Sequence, residues 1–246
     1  MREKYSEERI ISSYEANANH NLRPAALMDM MQEAAGRDAV SLGFGYEEMV
    51  SANAAWVLSR MKIQFNKYPQ WRDKVVLKTW HKGANRIFYL RDFLLEDTDG
   101  NNFASATTSW LIIDISSRRM VRNSTLAENF DNTAMDDAIA EQAEKVTLPK
   151  DVEAEFVTTH KVVWSDIDTN NHVNNVKYAV WAMDIVDYED ARNFPMKELL
   201  INFDAEVLPG QEVDLYRVRQ QVDSGLTYYV QGKVDGKVCF TVKMDF

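Results

Sequence analysis

Polar side chains that can take part in proton transfer are concentrated between residues 164 and 178. Asp168, Asn170 and His172 occupy alternate positions of this segment. Alternate residues of an extended chain lie on the same side, so the spacing predicts one face that carries a carboxylate, an amide and an imidazole. A carboxylate can orient water, an amide can hold a substrate oxygen, and an imidazole can exchange protons near neutral pH. This set suits acyl transfer, such as hydrolysis of an ester or a thioester.

The same residue types have a structural alternative, because Asn and Asp also cap helices. For Asn174 and Asn175 we expect capping of the helix that follows. A cap needs one such residue, so the three alternate groups favour a functional site. Backbone N–H groups at the start of that helix could hold a carbonyl oxygen as it becomes negative. No Gly-x-Ser-x-Gly segment is present, which argues against a serine α/β-hydrolase. The other histidines, His20, His81 and His160, are expected to be structural or exposed.

A helix followed by strands is predicted to position these residues. Apolar residues recur at helical spacing between Leu22 and Leu42, with Pro24 in the first turn. Strand-like runs follow from Ala54 onward, and Asp99-Gly100 is typical of a hairpin turn. One helix and several antiparallel strands indicate the α+β class.

The second half of the chain repeats this order. A strand is predicted from Glu155, a helix from about Asn174 to Asp187, and a hairpin at Asp235-Gly236. Between the halves, an alanine-rich acidic segment is interpreted as a linker helix. A shift of 152 positions places His20 on His172. With this shift, Asp168 and Asn170 fall on Ala16 and Ala18, so only the second copy is expected to retain the polar set.

The composition narrows the class of protein. The chain has 246 residues, a formal net charge of −10 and one cysteine, Cys239. An acidic chain is a poor candidate for nucleic-acid binding, which depends on Lys and Arg. One cysteine and four histidines do not make a metal cage unless carboxylates supply the other ligands, and no metal and no cofactor are expected. Neither a signal peptide nor a membrane span is expected, and a cytoplasmic location is predicted.

The segment 168–178, Asp-Thr-Asn-Asn-His-Val-Asn-Asn-Val-Lys-Tyr, resembles the Asp-x-Asn-x-His-Val-Asn-Asn-x-x-Tyr signature of acyl-acyl-carrier-protein (acyl-ACP) thioesterases of plants and their bacterial relatives. Further segments are similar in order and spacing to the N-terminal half of that family. They are 13–15, 30–34, 43–45, 56–61, 68–71 and 79–80. The resemblance therefore covers nearly the whole chain.

This resemblance implies a tandem hotdog fold, with an N-terminal hotdog at 1–130 that shapes the acyl tunnel, a linker helix at 131–150 and a catalytic C-terminal hotdog at 151–246. It implies catalytic roles for Asp168, Asn170 and His172, and for Glu206 in a strand after the second helix. Plant members commonly have Cys directly after that Glu, where this chain has Val207. Water activated by a general base, Glu206 or His172, is therefore preferred to a cysteine nucleophile.

The resemblance also implies an acyl substrate carried by acyl carrier protein. Leu27, Met31 and Ala34 on the first helix are candidates for the acyl-binding face. The basic run from Arg60 to Arg91 is the candidate surface for the acidic carrier, to be tested by reversing the charges of Lys78, Lys82 and Arg86. Activity on acyl-coenzyme A, non-catalytic acyl binding and a hydratase remain alternatives. A monomer or a homodimer is expected.

Overall fold

The computed structural model of the chain describes residues 3–121, 136–222 and 225–246. Contacts between residues divide it into two compact units, Met1–Ala143 and Glu144–Phe246, here called the N-terminal and C-terminal units. Each unit contains an antiparallel sheet of five strands and a helix that packs on that sheet. The predicted α+β class is confirmed. Within the described ranges, no helix has the length and apolar character needed to cross a bilayer.

The N-terminal unit has its long helix between the first and second strands. Its sheet has the order β1-β3-β4-β5-β2. The elements are β1 Tyr5–Ile10, α1 Pro24–Ser41, α2 Tyr46–Ser51, β2 Ala54–Phe65, β3 Lys74–Asn85, β4 Phe88–Glu96 and β5 Asn102–Asp114. The Asp99-Gly100 turn joins β4 to β5 as predicted, and Gly100 has a positive φ of 85° that favours glycine.

The first helix forms where the apolar periodicity predicts it. Pro24 occupies its first turn, where the missing N–H leaves no helical bond unmade. Leu27, Met31 and Ala34 recur at three- and four-residue steps and are buried. The helix α1 packs on β3 and β1. Burial of this apolar face stabilises the unit by about 2 kcal/mol for each large side chain.

The C-terminal unit repeats the topology. Its sheet has the order β7-β10-β9-β8-β6. In chain order, β6 to β10 correspond to β1 to β5. With this correspondence, the C-terminal sheet read from β6 to β7 has the same strand order as the N-terminal sheet read from β1 to β2. The elements are β6 Glu155–Lys161, α3 Asn175–Asp184, α4 Tyr188–Asn193, β7 Glu198–Phe203, β8 Glu212–Val222, β9 Gly225–Val234 and β10 Lys237–Asp245. The helix α3 packs on β9 and β10. The internal duplication predicted from the sequence is therefore seen in the topology.

The predicted linker helix is wrong over its described part. Residues 136–150 contain no helix, and residues 131–135 lie outside the described residues. In a helix, the backbone groups of this segment would form hydrogen bonds with each other. Here they form hydrogen bonds with side chains of β3 and β4. Asp92 accepts the N–H of Ala138 at 2.8 Å, Lys82 donates to the carbonyl of Ile139 at 2.6 Å, and Trp80 donates to the carbonyl of Asp136 at 3.0 Å. Residues 136–143 thus form a strap without helix or strand on the N-terminal unit.

The basic run from Arg60 to Arg91 does not form a continuous exposed surface. Lys82, one of the residues proposed for carrier docking, has a side chain only 5% exposed and lies 3.2 Å from Asp92. Lys78 is paired with Glu96 at 2.5 Å, and Arg91 is buried against Asp38 at 2.7 Å. Charges already paired inside the unit attract a partner weakly. Of the three residues chosen for charge reversal, Arg86 alone is exposed. The candidate docking surface is therefore limited to the exposed residues of the basic run.

Candidate active site

The segment that carries Asp168, Asn170 and His172 is a tight loop and not an extended stretch. The N–H of Asp168 donates to the carbonyl of His172 at 2.8 Å, and the N–H of Asn171 donates to the carbonyl of Asp168 at 3.0 Å. Asn171 adopts a left-handed conformation with φ of 62°, which Asn tolerates better than most residues. The predicted alternation of side chains along an extended chain is wrong. The turn brings the carboxylate of Asp168 to the backbone N–H groups of Asn170 and His172, while the side chain of Asn170 is exposed.

The carboxylate of Asp168 organises this loop. Its Oδ1 accepts the backbone N–H of Asn170 at 2.8 Å and that of His172 at 3.3 Å. Both bonds use Oδ1, so the other carboxylate oxygen, Oδ2, takes part in neither of them. Asn174 ends the loop as the N-cap of α3, since its side chain accepts the N–H of Val176 at 2.9 Å, and the capping prediction for this residue is confirmed.

A buried carboxylate beneath the loop was not predicted as a site residue. Asp166 is 4% exposed, and its Oδ2 lies 2.9 Å from Nε2 of His160 and accepts the N–H of Val163 at 3.0 Å. Burial disfavours its charge, but the bonds from Val163 and His160 and the charge of Lys177 together hold the pKa of Asp166 below its usual range. The expectation for His160 is thereby refined. It is a structural histidine, paired with the carboxylate that supports the loop.

Glu206 reaches the loop from the segment after β7. The predicted strand position is wrong, because β7 ends at Phe203. Instead, the N–H groups of Asp204 and Ala205 both donate to the carbonyl of Cys239, which turns the chain at the strand end. The turn places Oε2 of Glu206 3.6 Å from Nε2 of His172, with side chains 36% and 28% exposed. Water can reach both groups, and a proton can pass between them through a small rotation or one water molecule.

Two family models cover most of this chain. The acyl-ACP thioesterase N-terminal domain matches residues 2–127, and the acyl-ACP thioesterase C-terminal domain matches residues 149–246. The chain belongs to the acyl-ACP thioesterase family. The resemblance seen in the sequence is confirmed.

The chain is also similar to individual proteins of known sequence or structure. A palmitoyl-acyl carrier protein thioesterase of Gossypium hirsutum is 33% identical over 195 residues, which make up 73% of this chain and 46% of that protein. The chain thus spans about half the length of the curated plant relatives it matches. In fold, it is similar to the 12:0-ACP thioesterase of Umbellularia californica, with a TM-score of 0.89 and 22% identity over 98% of this chain and 93% of that one. A putative oleoyl thioesterase of Lactobacillus plantarum gives a TM-score of 0.87 and 23% identity, with 98% and 95% covered.

The two units of this chain carry the same loop, but at an offset of 151 positions and not 152. The short 3-10 turn Ser13–Glu15 corresponds to Trp164–Asp166. The bridge between Ala16 and Leu22 corresponds to the bridge between Ile167 and Val173. Left-handed His20 corresponds to left-handed Asn171. The predicted match of His20 to His172 is wrong by one residue, because the identity of two side chains does not follow the backbone geometry that the units share.

With the corrected offset, Asn17 stands where the C-terminal unit has Asp168. Its side chain accepts the N–H groups of Asn19 at 2.9 Å and Asn21 at 3.1 Å, as Asp168 does with Asn170 and His172. The expected matches to Ala16 and Ala18 are replaced by Asn17 and Asn19, and His172 is matched by Asn21. The N-terminal loop keeps the hydrogen bonds but has no ionisable group at the positions of Asp168 and His172.

Glu206 has a counterpart as well. The carbonyl of Val207 accepts the N–H of Val173 at 2.9 Å, and the carbonyl of Pro69 accepts the N–H of Leu22 at 2.9 Å. Tyr68 therefore precedes Pro69 as Glu206 precedes Val207. The loop architecture is shared by both units, whereas Asn17, Asn21 and Tyr68 stand at the positions of Asp168, His172 and Glu206.

Cys239 lies next to this turn but is not placed for nucleophilic chemistry. Its side chain is buried, and its Sγ lies 3.6 Å from the carbonyl oxygen of Lys237. Burial first, and then the negative charge of Asp204, raise the pKa of the thiol. A thiol with a raised pKa contains little thiolate, which is the reactive form.

The candidate acyl-binding residues Leu27, Met31 and Ala34 are all in the buried core of the N-terminal unit. Their burial agrees with both a core role and contact with an alkyl chain. Among the described residues, no cluster of three or more His, Cys, Asp and Glu side chains could hold a metal ion.

Proposed function

We propose that this chain hydrolyses fatty acyl-ACP thioesters to free fatty acid and carrier protein. The observation that carries the proposal is the approach of His172 to Glu206 at 3.6 Å, beside a loop organised by Asp168, in a chain of the acyl-ACP thioesterase family. A carboxylate and an imidazole at this distance can activate water without a metal or a cofactor. The plant relatives are named as thioesterases of palmitoyl- or oleoyl-acyl carrier protein, which supports the same substrate class here.

In the proposed mechanism, a water molecule attacks the thioester carbonyl carbon. Glu206 or His172 accepts the proton of the water as its oxygen forms the new C–O bond. The C–S bond then breaks, and the proton passes to the departing thiolate, which leaves as the thiol of the carrier. Asp168 organises the loop and its negative charge orients the attacking water, while Asn170 positions the water or the carbonyl oxygen. The buried thiol of Cys239 takes no part.

We further propose a tandem hotdog architecture with divided labour, in which the N-terminal unit binds the acyl chain and the C-terminal unit catalyses. The proposal refines the predicted domains at 1–130, 131–150 and 151–246, because the strap at 136–143 belongs to the N-terminal unit. Its support is the shared strand order and the replacement of Asp168 and His172 by Asn17 and Asn21. Acyl chain length would then be set by residues of the first helix.

Leu27, Met31 and Ala34 are the proposed acyl-binding face. Each methylene of an alkyl chain that leaves water contributes about 0.8 kcal/mol to binding. Ala34→Leu should therefore shorten the preferred chain, while Met31→Ala should lengthen it. Carrier docking, if electrostatic, should depend on exposed cations such as Arg86 and not on the buried Lys82.

The function is tested by release of free thiol from acyl-ACP substrates of increasing chain length, with the matching acyl-coenzyme A esters in parallel. Turnover of the carrier-bound esters is expected to exceed that of the coenzyme A esters. Glu206→Gln and His172→Asn should each lower kcat by about a hundredfold or more. The variant His172→Asn introduces the residue that the N-terminal loop already accommodates at Asn21, so folding is expected to be kept. Full rate in both folded variants would refute the site, and binding of acyl-ACP without thiol release would refute the activity.

A further inference from the structure

A buried tyrosine connects α3 to the turn that carries Glu206. The hydroxyl of Tyr178 accepts the backbone N–H of Val207 at 3.2 Å. Tyr178 is 3% exposed and Val207 is 0% exposed, so water does not compete for this bond. A buried N–H that loses this acceptor is left without a partner, which is unfavourable and favours a shift of the short turn.

The ring of Tyr178 is held by aromatic neighbours. Its centroid lies 4.8 Å from that of Phe240, 5.5 Å from that of Trp181 and 5.8 Å from that of Phe203. Aromatic pairs at these separations pack favourably. The hydroxyl is thus presented from a rigid support.

Val207 is clamped on both sides of its backbone. Its carbonyl accepts the N–H of Val173, the residue after His172, and its N–H donates to Tyr178. The first bond ties the turn to the loop, and the second ties it to the helix. Since Glu206 directly precedes Val207, both bonds bear on the distance between Glu206 and His172.

The N-terminal unit has a counterpart of the first of these two bonds but not of the second. It keeps the first, from Leu22 to the carbonyl of Pro69. It lacks the second, because Leu27 stands at the position of Tyr178 and Pro69 has no N–H to donate. The fold of a unit therefore does not require the tyrosine bond. The bond is present in the unit that carries the ionisable groups.

We propose that Tyr178 is a positioning residue, which holds Glu206 in register with His172 through the N–H of Val207. The proposal rests on the proposed thioesterase function for its kinetic consequences. Burial raises the pKa of Tyr178, the Val207 bond opposes that shift, and the charges of Glu206 and Asp168 add to it. The phenol is therefore neutral at neutral pH, and its part is to fix the turn and not to exchange the catalytic proton.

The test compares Tyr178→Phe with Tyr228→Phe. Tyr228 is equally buried in the same unit, and its hydroxyl also accepts a backbone N–H, that of Asp187 at 3.4 Å, while it donates to Asp190 at 2.6 Å. Both substitutions keep a ring and delete a bonded hydroxyl. Tyr178→Phe should lower kcat by about tenfold to a hundredfold with KM little changed, since displacement of a reacting group by about 1 Å costs that much. Tyr228→Phe should reduce thermal stability and leave kcat as in wild type.

A double-mutant cycle with Val207→Pro isolates the bond. Proline is the residue that the N-terminal unit uses at this position, and it removes the N–H that Tyr178 accepts. In the Val207→Pro background, Tyr178→Phe should have no further effect on kcat. An undiminished effect in that background would refute the proposal, as would an equal loss of kcat in Tyr228→Phe.

Amide hydrogen exchange at Val207 tests the same bond without any substrate. The wild-type amide should be protected, and Tyr178→Phe should accelerate its exchange while the amide of Val173 stays protected. Unchanged protection at Val207 would overturn the proposal even if Val207→Pro proved inactive. If wild type turned over no acyl-ACP at all, the proposed function would fail, but this exchange experiment would still decide the role of Tyr178.

Discussion

The imidazole of His172 and the carboxylate of Glu206 lie 3.6 Å apart, although one precedes α3 and the other follows β7. Two backbone arrangements create this approach. The loop of His172 is closed by the carboxylate of Asp168, and the turn of Glu206 is held by the carbonyl of Cys239. The proposed hydrolysis uses these two groups, so the two supports are expected to affect activity as directly as the side chains they present.

The first prediction separates the charge of Asp168 from its hydrogen bonds. Asp168→Asn should preserve the loop, because Asn17 makes the same two bonds in the N-terminal unit. We expect a wild-type unfolding temperature and a kcat lowered by about a hundredfold or more, since the negative charge is lost. Asn17→Ala is the control and should cost about 1 kcal/mol in stability with kcat retained. A fully active Asp168→Asn would show that the carboxylate serves the loop alone.

The second prediction concerns stability and pH. Burial, assisted by the charge of Arg91, lowers the pKa of His81 to about 4. The folded protein therefore keeps His81 neutral, whereas the unfolded chain binds a proton near its ordinary pKa of about 6.5. The contribution is complete above about pH 6.5 and is lost as the pH falls toward 4, by about 2 kcal/mol between pH 7 and pH 5.

Urea unfolding at pH 7 and pH 5 measures this contribution. His81→Gln should flatten the dependence of the unfolding free energy on pH. His20→Asn is the matched control, because His20 is exposed and Asn accepts its left-handed backbone. An equal flattening by both variants would contradict the assignment to His81.

The third prediction addresses the ion pair beneath the strap. Lys82→Ala should lower the unfolding free energy by about 3–5 kcal/mol, because it leaves the buried charge of Asp92 without its partner. The double variant Lys82→Met with Asp92→Leu should recover part of this loss. Arg86→Ala, at an exposed position of the β3–β4 hairpin, should stay within about 0.5 kcal/mol of wild type. Equal effects of Lys82→Ala and Arg86→Ala would mean that the pair carries no stability.

The fourth prediction distinguishes water from a thiol as nucleophile. Cys239→Ala should retain kcat within about twofold, because a buried thiol with a raised pKa supplies little thiolate. Iodoacetamide should not inactivate the native protein. Loss of activity in a folded Cys239→Ala variant, together with inactivation by the reagent, would favour a cysteine mechanism over the one proposed.

Local features of the chain were predictable because neighbouring residues determine them. The helix from Pro24, the cap at Asn174 and the turns at Asp99-Gly100 and Asp235-Gly236 depend on backbone preferences within a few positions. The family motif likewise predicts Asp168, Asn170 and His172 from residue types at short spacing. The motif also contains Tyr178, but its residue type does not predict a positioning role, since a tyrosine on a buried helix face usually belongs to the core.

Other features depend on partners distant in sequence, and the sequence led to wrong expectations for them. The strap at 136–143 is not helical, because side chains of β3 and β4 form hydrogen bonds with its backbone groups, and no local pattern reveals these partners. Lys82 is buried for the same reason, although a run of basic residues suggests an exposed surface.

By itself, the sequence determined the family, the α+β class and the polar residues of the C-terminal loop, since these follow from residue types and short-range periodicity. Only the tertiary structure decided that Glu206 meets His172, that Asn17 matches Asp168 and that Tyr178 holds Val207. The first and third relations join segments that are far apart in sequence, and the second rests on backbone hydrogen bonds that residue types do not reveal. Their geometry is therefore a property of the folded chain.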